Sequence, residues 1–294
     1  MWVWEEFLMA KAAELLGVDD GVSCVVVPYA FLLDHMLEVA NKLGVQARAV
    51  RSPSICRGMV PDVIKESLPS ILLFTVDSFA NMMEKSGSFV GQWVEDGKIR
   101  RFFIDEVHTP FLEMDFRFRY DSLRKYVPIL SEKGAQIVTM SGSLPHGVQT
   151  AVTQWLGTTG NLATRVSSLG LTGIAVEVVE PMDKSGWQQF VLDRLQKGHM
   201  HIFCATLADC TSMETALYGD GSTELGTHAI VTSQTDEDTR RLVGKRWYND
   251  LLPVLISTTC CLVGNENLKC KTVVVFRHVY NLVSLVQAKE RGAC

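Results

Sequence analysis

Apolar residues in this 294-residue chain cluster in short continuous runs more often than they alternate with polar ones. Continuous runs are typical of parallel β-strands that helices cover on both faces. We predict strands of this kind in both halves of the chain. They lie at 24–27, 47–50, 71–75, 102–105 and 136–140, then at 174–179, 201–205, 229–232, 254–258 and 272–276.

Helical spacing separates these runs. Between 33 and 43, apolar side chains recur every three or four residues, and Gly44 is a suitable stop for that helix. A further helix is predicted over 186–197. The alternation predicts an α/β fold with two lobes, each a mostly parallel sheet flanked by helices. The Gly- and Thr-rich stretch 157–160 is the expected linker, so the lobes should span 1–161 and 162–294.

Composition narrows the class of protein. Apolar content of 47% and charged content of 21% are ordinary for a soluble α/β protein, and no run is long enough to span a bilayer. The net charge of −5 argues against bulk attraction to nucleic acid, although a local basic groove remains compatible with it. The eight cysteines form no C-x-x-C pair, which indicates buried thiols in a reducing, intracellular compartment.

The most informative chemistry follows the fourth run. Asp105 and Glu106 end that run, and His108 comes two residues later. A strand that stops at Asp105 brings its carboxylate to the C-terminal edge of a sheet, where open α/β folds bind ligands. One carboxylate there can hold Mg²⁺ on a nucleotide, and the next can polarise an attacking water. The alternative is a strand followed by a solvated acidic turn.

A second polar motif follows the fifth run, where Ser141 and Ser143 begin the stretch Ser-Gly-Ser-Leu-Pro. Asp-Glu-x-His at one strand end and Ser-x-Ser at a later one resembles the DExH-box helicases of superfamily 2. Between the two motifs the chain resembles RecQ-type helicases, which carry Asp-Phe-Arg, a short gap and Tyr-x-x-Leu. The Leu-Pro variant is similar to fungal telomere-linked members. The matching residues are Asp115, Phe116, Arg117, Tyr120 and Leu123.

The resemblance to RecQ-like helicases continues along nearly the whole chain. Upstream, a strand, a proline and a helix match at Pro28, Leu33 and Asp34. Downstream, the matches are His228-Ala229, the strand that ends at Thr258, the pair Gly264 and Glu266, and finally Gln287 and Arg291.

The resemblance implies two RecA-like lobes that bind ATP between them and move 3′-to-5′ on one strand of forked or single-stranded DNA. Asp105 would coordinate Mg²⁺ through water, and Glu106 would orient and deprotonate the hydrolytic water. DNA repair or recombination would be the setting, in the nucleus if the source is eukaryotic. The other implied roles are an arginine finger with its neighbour (Arg291, Gln287), coupling (His108, Ser141, Ser143), nucleotide contact (Gly264, Glu266) and nucleic-acid contact (Pro28, Thr258).

Aromatic and basic residues alternate after the acidic motif, at Phe116, Arg117, Phe118, Arg119 and Tyr120. Aromatic faces for bases and cations for phosphates are the means by which proteins grip single strands. The segment departs from the RecQ pattern, because the family's tryptophan and Gly-His pair are replaced by residues 109–114 (TPFLEM). Its spacing of two also fits an edge strand. For the other basic clusters, including Arg240-Arg241, a solvated helix face is the alternative.

Two family features are missing from the sequence. The phosphate-binding loop G-x-x-x-x-G-K-[ST] does not occur, and Cys294 stands where the second arginine of the last motif is expected. We therefore interpret the chain as a helicase core clipped at both ends, which by itself should hydrolyse ATP negligibly. The alternative is a degenerate copy that serves as a non-catalytic nucleic-acid-binding module.

Overall fold

The computed structural model describes residues 21–51, 71–113, 119–141, 146–157, 177–219, 228–258 and 269–277, together with 175, 261, 285 and 288. The chain divides into two compact units, Met1–Ala163 and Thr164–Cys294. Each unit contains a parallel β-sheet with helices packed against it. The predicted α/β class is confirmed.

The first unit is built on a five-stranded sheet in which all neighbouring strands are parallel. Its order is β2-β3-β1-β4-β5. Every residue of the central strand β1 is buried, because neighbours flank it on both sides and both of its faces are covered. The strands are β1 (Val22–Val27), β2 (Ala47–Val50), β3 (Ile71–Thr75), β4 (Ile99–Ile104) and β5 (Gln136–Thr139).

Helices cover this sheet. The first helix packs on β1, β2 and β3, whereas a separate core under the later helices contains Phe74, Phe79 and Phe102. The ring of Phe79 contacts the rings of Phe74, Phe102 and Tyr126, at centroid distances of 5.7, 5.0 and 6.3 Å. The helices are α1 (Ala30–Lys42), α2 (Val76–Glu84), α3 (Phe89–Glu95), α4 (Thr109–Glu113), α5 (Tyr120–Glu132) and α6 (His146–Leu156).

Local hydrogen bonds explain why α2 starts directly after β3. Thr75 and Ser78 form a capping box, in which each side-chain oxygen accepts a hydrogen bond from the other residue's backbone N–H. These bonds satisfy N–H groups that the first helical turn would otherwise leave without partners. The chain can therefore reverse direction tightly at the C-terminal edge of the sheet.

The second unit has a four-stranded parallel sheet in the order β7-β8-β6-β9. Trp247 and Leu255 are completely buried and pack in one of its cores. Side chains of Asp183, Thr206 and Asp236 cap its helices. The elements are α7 (Lys184–Leu195), β6 (His199–Cys204), α8 (Leu207–Tyr218), β7 (His228–Val231), α9 (Glu237–Tyr248), β8 (Val254–Ser257) and β9 (Cys270–Phe276).

The strands predicted from apolar runs are confirmed with one exception. Residues 175 and 177–179 of the run 174–179 are described, and none of them lies in a strand. Val178 is 93% exposed, and Glu177 pairs with Arg194 of α7 at 2.6 Å. The prediction was wrong for these residues because apolar side chains without a burying partner do not make a strand.

The cysteines described by the structure are buried and form no disulfide with one another, as predicted for Cys24 and Cys204; they are Cys24, Cys204, Cys210, Cys261 and Cys270. Among the helices of the described residues, none combines the length and the apolar character that crossing a membrane requires.

Candidate functional site

Residues 105–108, which we call the acidic turn, lie at the C-terminal edge of the first sheet. Backbone hydrogen bonds tie this turn to both neighbouring strands. The N–H of Asp105 donates to the carbonyl of Val26 in β1, at 2.9 Å. The N–H of Val107 donates to the carbonyl of Met140, which directly follows β5, also at 2.9 Å. The sheet therefore sets the position of the two carboxylates.

Glu106 adopts a left-handed backbone conformation with φ of 46°. Such a conformation costs a non-glycine residue on the order of 1–3 kcal/mol, and it persists where surrounding bonds enforce it. Here the Glu106 N–H donates to Asp105 Oδ1 at 2.9 Å, and the Thr109 N–H donates to the Glu106 carbonyl at 2.8 Å. Strain of this kind clusters at functional sites, so a strained residue beside Asp105 supports this strand end as a candidate functional site.

His108 connects the acidic turn to the segment after β5. Its side chain is only 2% exposed, and its Nδ1 lies 2.6 Å from Ser141 Oγ and 3.3 Å from Glu106 Oε2. Burial lowers the pKa of His108 from 6.5 to about 4, because the charged ring is poorly solvated there. The imidazole is thus neutral near neutral pH, even though the Glu106 carboxylate attracts the charged form.

The neutral ring has two tautomers, and each serves this arrangement differently. With the proton on Nδ1, the ring donates to Ser141 Oγ. With the proton on Nε2, the Ser141 hydroxyl donates to Nδ1. In either tautomer Nδ1 is bonded to Ser141 and lies 3.3 Å from Glu106 Oε2, so the histidine contacts side chains at two neighbouring strand ends.

The carboxylates suit a metal that arrives with its substrate. Among the described residues, no three His, Cys, Asp or Glu side chains are grouped so that they could hold a metal ion by themselves. Mg²⁺ does not need such a cage, because it commonly binds through one or two carboxylates, water and substrate phosphates. Asp105, at the strand end with one oxygen fixed by the Glu106 N–H, is a suitable carboxylate.

Other strand ends reach the same edge. Pro28 directly follows β1, which lies between β3 and β4, so it lies at the same edge as the acidic turn, and its contact with nucleic acid stays a prediction. Thr75 and Ser78 of the capping box lie at the end of β3. Sequence reasoning did not single out these two residues, although Thr-x-x-Ser after the run ILLF is a recognisable helix start.

Two of the predicted nucleic-acid residues have other partners. Tyr120 is the first residue of α5 and is 2% exposed within the core of the first unit, so the prediction that it lies in an edge strand is wrong, and this burial does not favour stacking on a base. Arg119 donates to Glu84 Oε2 at 2.6 Å. Their neighbours Phe116 and Arg117 lie outside the described residues.

The edge of the second sheet carries Thr258, whose N–H donates to the carbonyl of Val231 at 3.2 Å. Arg240 donates to the carbonyls of Thr232, Ser233 and Thr235, at 3.3, 3.5 and 2.8 Å. Arg240 therefore binds the backbone of the loop after β7, and it is not simply a solvated side chain on a helix face. The remaining predicted residues lie outside the described part of the chain: Ser143, Gly264, Glu266, Gln287 and Arg291.

Arg277 and Asp209 form an ion pair at the same edge. Arg277 Nη1 lies 2.6 Å from Asp209 Oδ1, and Thr206 Oγ1 donates to Asp209 Oδ2 at 2.8 Å. The carboxylate is almost completely buried, while the guanidinium is 60% exposed and lies over the Phe276 ring. Sequence reasoning did not single out either residue, because nothing in the local sequence connects positions 209 and 277.

Comparisons with known proteins identify the fold. No protein-family model and no curated protein matches the chain. Among solved structures, S. cerevisiae Dbp5 bound to RNA and ADP BeF3 is similar over 97% of this chain and 71% of that chain, with TM-score 0.66 and 14% identity. The DEAD-box helicase Mss116 bound to ssRNA and UDP-BeF is similar over 96% of this chain and 60% of that chain, with TM-score 0.68 and 13% identity.

A solved structure of a helicase bound to DNA is also similar to the chain. Mycobacterium smegmatis helicase Lhr bound to ssDNA and AMP-PNP has TM-score 0.65 and 16% identity over 96% of this chain, which spans 39% of the Lhr chain. RNA and DNA helicases thus both appear among the similar structures. The chain has the fold of these helicases, with two RecA-like lobes.

Proposed function

We propose that this chain is the core of a RecQ-like, DExH-box helicase that uses ATP to move 3′-to-5′ on DNA and to separate duplexes. One observation carries the proposal: the acidic turn, with a strained Glu106, lies at a strand end and is joined through buried His108 to Ser141. Resemblance to RecQ-type motifs supports the DNA-helicase assignment, and the similar solved structures, which were determined with nucleotides and with RNA or DNA, support the broader class.

The acidic turn would carry the hydrolytic chemistry. Asp105 would hold Mg²⁺ through water, and that ion would neutralise charge on the phosphates. Glu106 would orient the attacking water and accept its proton. The neutral state of His108 matters for this role, because a charged imidazolium 3.3 Å away would stabilise the ionised carboxylate and weaken it as a base.

Coupling to nucleic acid would run through the same hydrogen bond. Ser141 belongs to the segment after β5, so a shift of that segment would move His108 and, through Nδ1, Glu106. Ser143 would take part in this coupling, while Pro28, Thr258, Phe116 and Arg117 would contact the strand. Gln287 and Arg291 would act on the γ-phosphate, and Gly264 and Glu266 would contact the nucleotide.

A second candidate function is a helicase-like module that binds nucleic acid without hydrolysing ATP. It is favoured by the absence of the motif G-x-x-x-x-G-K-[ST] from the sequence, since that loop and its lysine supply most phosphate contacts. In this case the acidic turn would be an inherited structure, and its strain would serve no reaction.

Two proteins distinguish these functions: the chain itself and the chain extended at its start by a phosphate loop from a related helicase. We expect negligible ATP hydrolysis from the first. The extended protein should turn over at about 1 s⁻¹ or faster with Mg²⁺ and single-stranded DNA. Steady-state assays with DNA and with RNA of the same sequence would show which nucleic acid stimulates it.

Two variants of the extended protein serve as controls. Glu106→Gln keeps the size of the side chain and removes the base, and Asp105→Ala removes the metal-binding carboxylate, so both should abolish turnover. Nucleic-acid binding without turnover in the unmutated, folded extended protein would support the non-catalytic module. Turnover that survives Asp105→Ala would exclude the acidic turn as the hydrolytic site.

A further inference from the structure

We propose that Trp155 is a positioning residue for the acidic turn and that it acts through Phe111. The catalytic meaning of this role rests on the proposed function, but the mechanical connection can be tested without any activity. Trp155 belongs to α6, the helix that follows β5, and none of the sequence motifs includes it.

The acidic turn and α4 form one continuous piece of backbone. The N–H of Thr109 donates to the carbonyl of Glu106 at 2.8 Å, and the N–H of Phe111 donates to the carbonyl of His108 at 3.0 Å. A displacement of Phe111 is thereby transmitted directly to Glu106 and His108. Because α4 contains only residues 109–113, it has little structure of its own to resist such a displacement.

An aromatic contact holds this short helix in place. The rings of Phe111 and Trp155 meet edge-on, with centroids 6.0 Å apart and planes inclined by 65°. Phe111 is 36% exposed, whereas Trp155 is 9% exposed and packs in the core with Val152 and Leu156. The tryptophan is therefore the fixed member of the pair, and the phenylalanine is the member that it holds.

Trp155 acts here as an apolar surface. Its Nε1–H is buried and has no hydrogen-bond partner in the described part of the chain. Phenylalanine at this position would keep an aromatic ring and would lose no polar contact, so it is the conservative variant. Leucine would keep apolar bulk and remove the aromatic edge.

The Phe111–Trp155 contact adds to the hydrogen bonds that already hold the acidic turn against its neighbours. The last two residues of the turn are joined to the segment after β5, by the Val107 N–H bond to Met140 and by the His108–Ser141 bond. Beyond the end of the turn, α4 is joined through Phe111 to α6. Movement of α6 would thus reach the acidic turn through Phe111.

The chain offers a matched control for Trp155. Trp93 lies in the same core, is 8% exposed, and contacts Phe89 edge-on at 5.2 Å with planes inclined by 75°. Both rings of that pair belong to α3, and among the described residues no ring contact joins Trp93 to α4. Trp93→Leu should therefore destabilise the first unit as Trp155→Leu does, without loosening the acidic turn.

The test is amide hydrogen exchange of the full chain in Trp155→Leu, Trp155→Phe and Trp93→Leu, under conditions where all three are folded. Exchange at Val107, Thr109 and Phe111, relative to the β1 amides Val25 and Val26, should accelerate about fivefold or more in Trp155→Leu. It should change less than about twofold in Trp93→Leu and in Trp155→Phe. The β1 amides correct for global unfolding of the unit.

Equal acceleration in Trp155→Leu and Trp93→Leu, or none in either, would overturn the positioning role. The result is independent of whether the protein hydrolyses ATP. If the protein extended by a phosphate loop has no ATPase activity while Trp155→Leu still loses exchange protection at the acidic turn, the proposed function fails and the positioning role of Trp155 stands. In the protein extended by a phosphate loop, Trp155→Leu should lower kcat and spare nucleotide KM, and Trp155→Phe should restore kcat.

Discussion

Each unit places polar side chains just beyond the carboxyl ends of its parallel strands, but the two edges differ in how those side chains are held. In the first unit, Glu106 is strained and His108 is buried in its neutral form. In the second, Asp209 is bonded to both Arg277 and Thr206, and Arg240 is bonded to three backbone carbonyls.

The second edge also contains a left-handed residue, Arg277 with φ of 66°, so backbone strain alone does not separate the two edges. They differ in charge, because Arg277 is paired with the buried Asp209 carboxylate, whereas the buried His108 ring is held neutral. A left-handed glutamate and a desolvated imidazole both cost free energy, and such costs are characteristic of functional sites. A paired carboxylate and a guanidinium that caps a loop do the opposite. The first edge thus carries a desolvated ring and the second an ion pair, and three experiments test this difference.

The largest expected effect is a loss of stability of the first unit on acidification. The pKa of His108 is about 4 in the folded chain and 6.5 ordinarily, so between these values the unfolded state binds a proton that the folded state refuses. Stability should fall as the pH drops through this window, by about 3 kcal/mol in total. Urea unfolding across the window, with amide exchange at Val26 reporting the first unit, measures the fall.

His108→Gln is the control for this effect, because glutamine can bond Ser141 but does not titrate. Its pH dependence should be flatter by about the same 3 kcal/mol. His199 in the second unit also has a lowered pKa, but its ring is less buried, so amide exchange at Ile202 should show a weaker dependence. An unchanged slope in His108→Gln would show that another group is responsible.

The second effect concerns the ion pair of the second unit. Arg277→Ala leaves the Asp209 carboxylate buried with only Thr206 to stabilise it, and should cost about 2 kcal/mol of unfolding free energy in that unit. The matched variant Arg241→Ala removes an exposed pair with Glu237 and should cost less than about 0.5 kcal/mol. Equal costs would mean that Arg277 does not stabilise this edge. Denaturant unfolding of both variants gives the comparison.

The smallest effect is a gain. Glu106→Gly should raise the stability of the first unit by about 1 kcal/mol, because glycine adopts the left-handed conformation without strain. Asp250→Gly is the counterpart in the second unit, where φ is 60°. It should give no gain, since aspartate tolerates this conformation better and its pair with Lys269, at 3.2 Å, would be lost. Thermal unfolding of both variants tests whether the left-handed conformation costs more stability at Glu106 than at Asp250.

Sequence reasoning succeeded where local pattern determines structure. The run Val25–Val27 predicts a fully buried strand because no polar side chain interrupts it, and the acids after Phe102 and Phe103 predict a strand end with carboxylates. The link between His108 and Ser141 was predicted as coupling from family resemblance. Its 2.6 Å geometry requires β4 and β5 to be neighbours, which only the folded sheet establishes.

The failures arose where the partner lies far along the chain. The spacing of two at Phe116, Phe118 and Tyr120 favoured an exposed segment, yet Tyr120 begins a helix and is buried beside Leu123. Charge alone did not reveal that Arg119 pairs with Glu84. The charge of a side chain indicates which groups it can bind, but the group that it contacts depends on the fold.

The central position of β1 has a consequence for synthesis of the protein. Val26 lies opposite Phe74 on one side and opposite Ile104 on the other, so neither hydrogen-bonded neighbour exists until long after β1 is made. At roughly 5–20 residues per second, a nascent chain would carry this six-residue apolar strand for several seconds without its partners. Pairings so distant in sequence also form slowly. During translation Val22–Val27 is therefore a natural target for a chaperone that binds extended apolar segments, and the segment from which aggregation would begin.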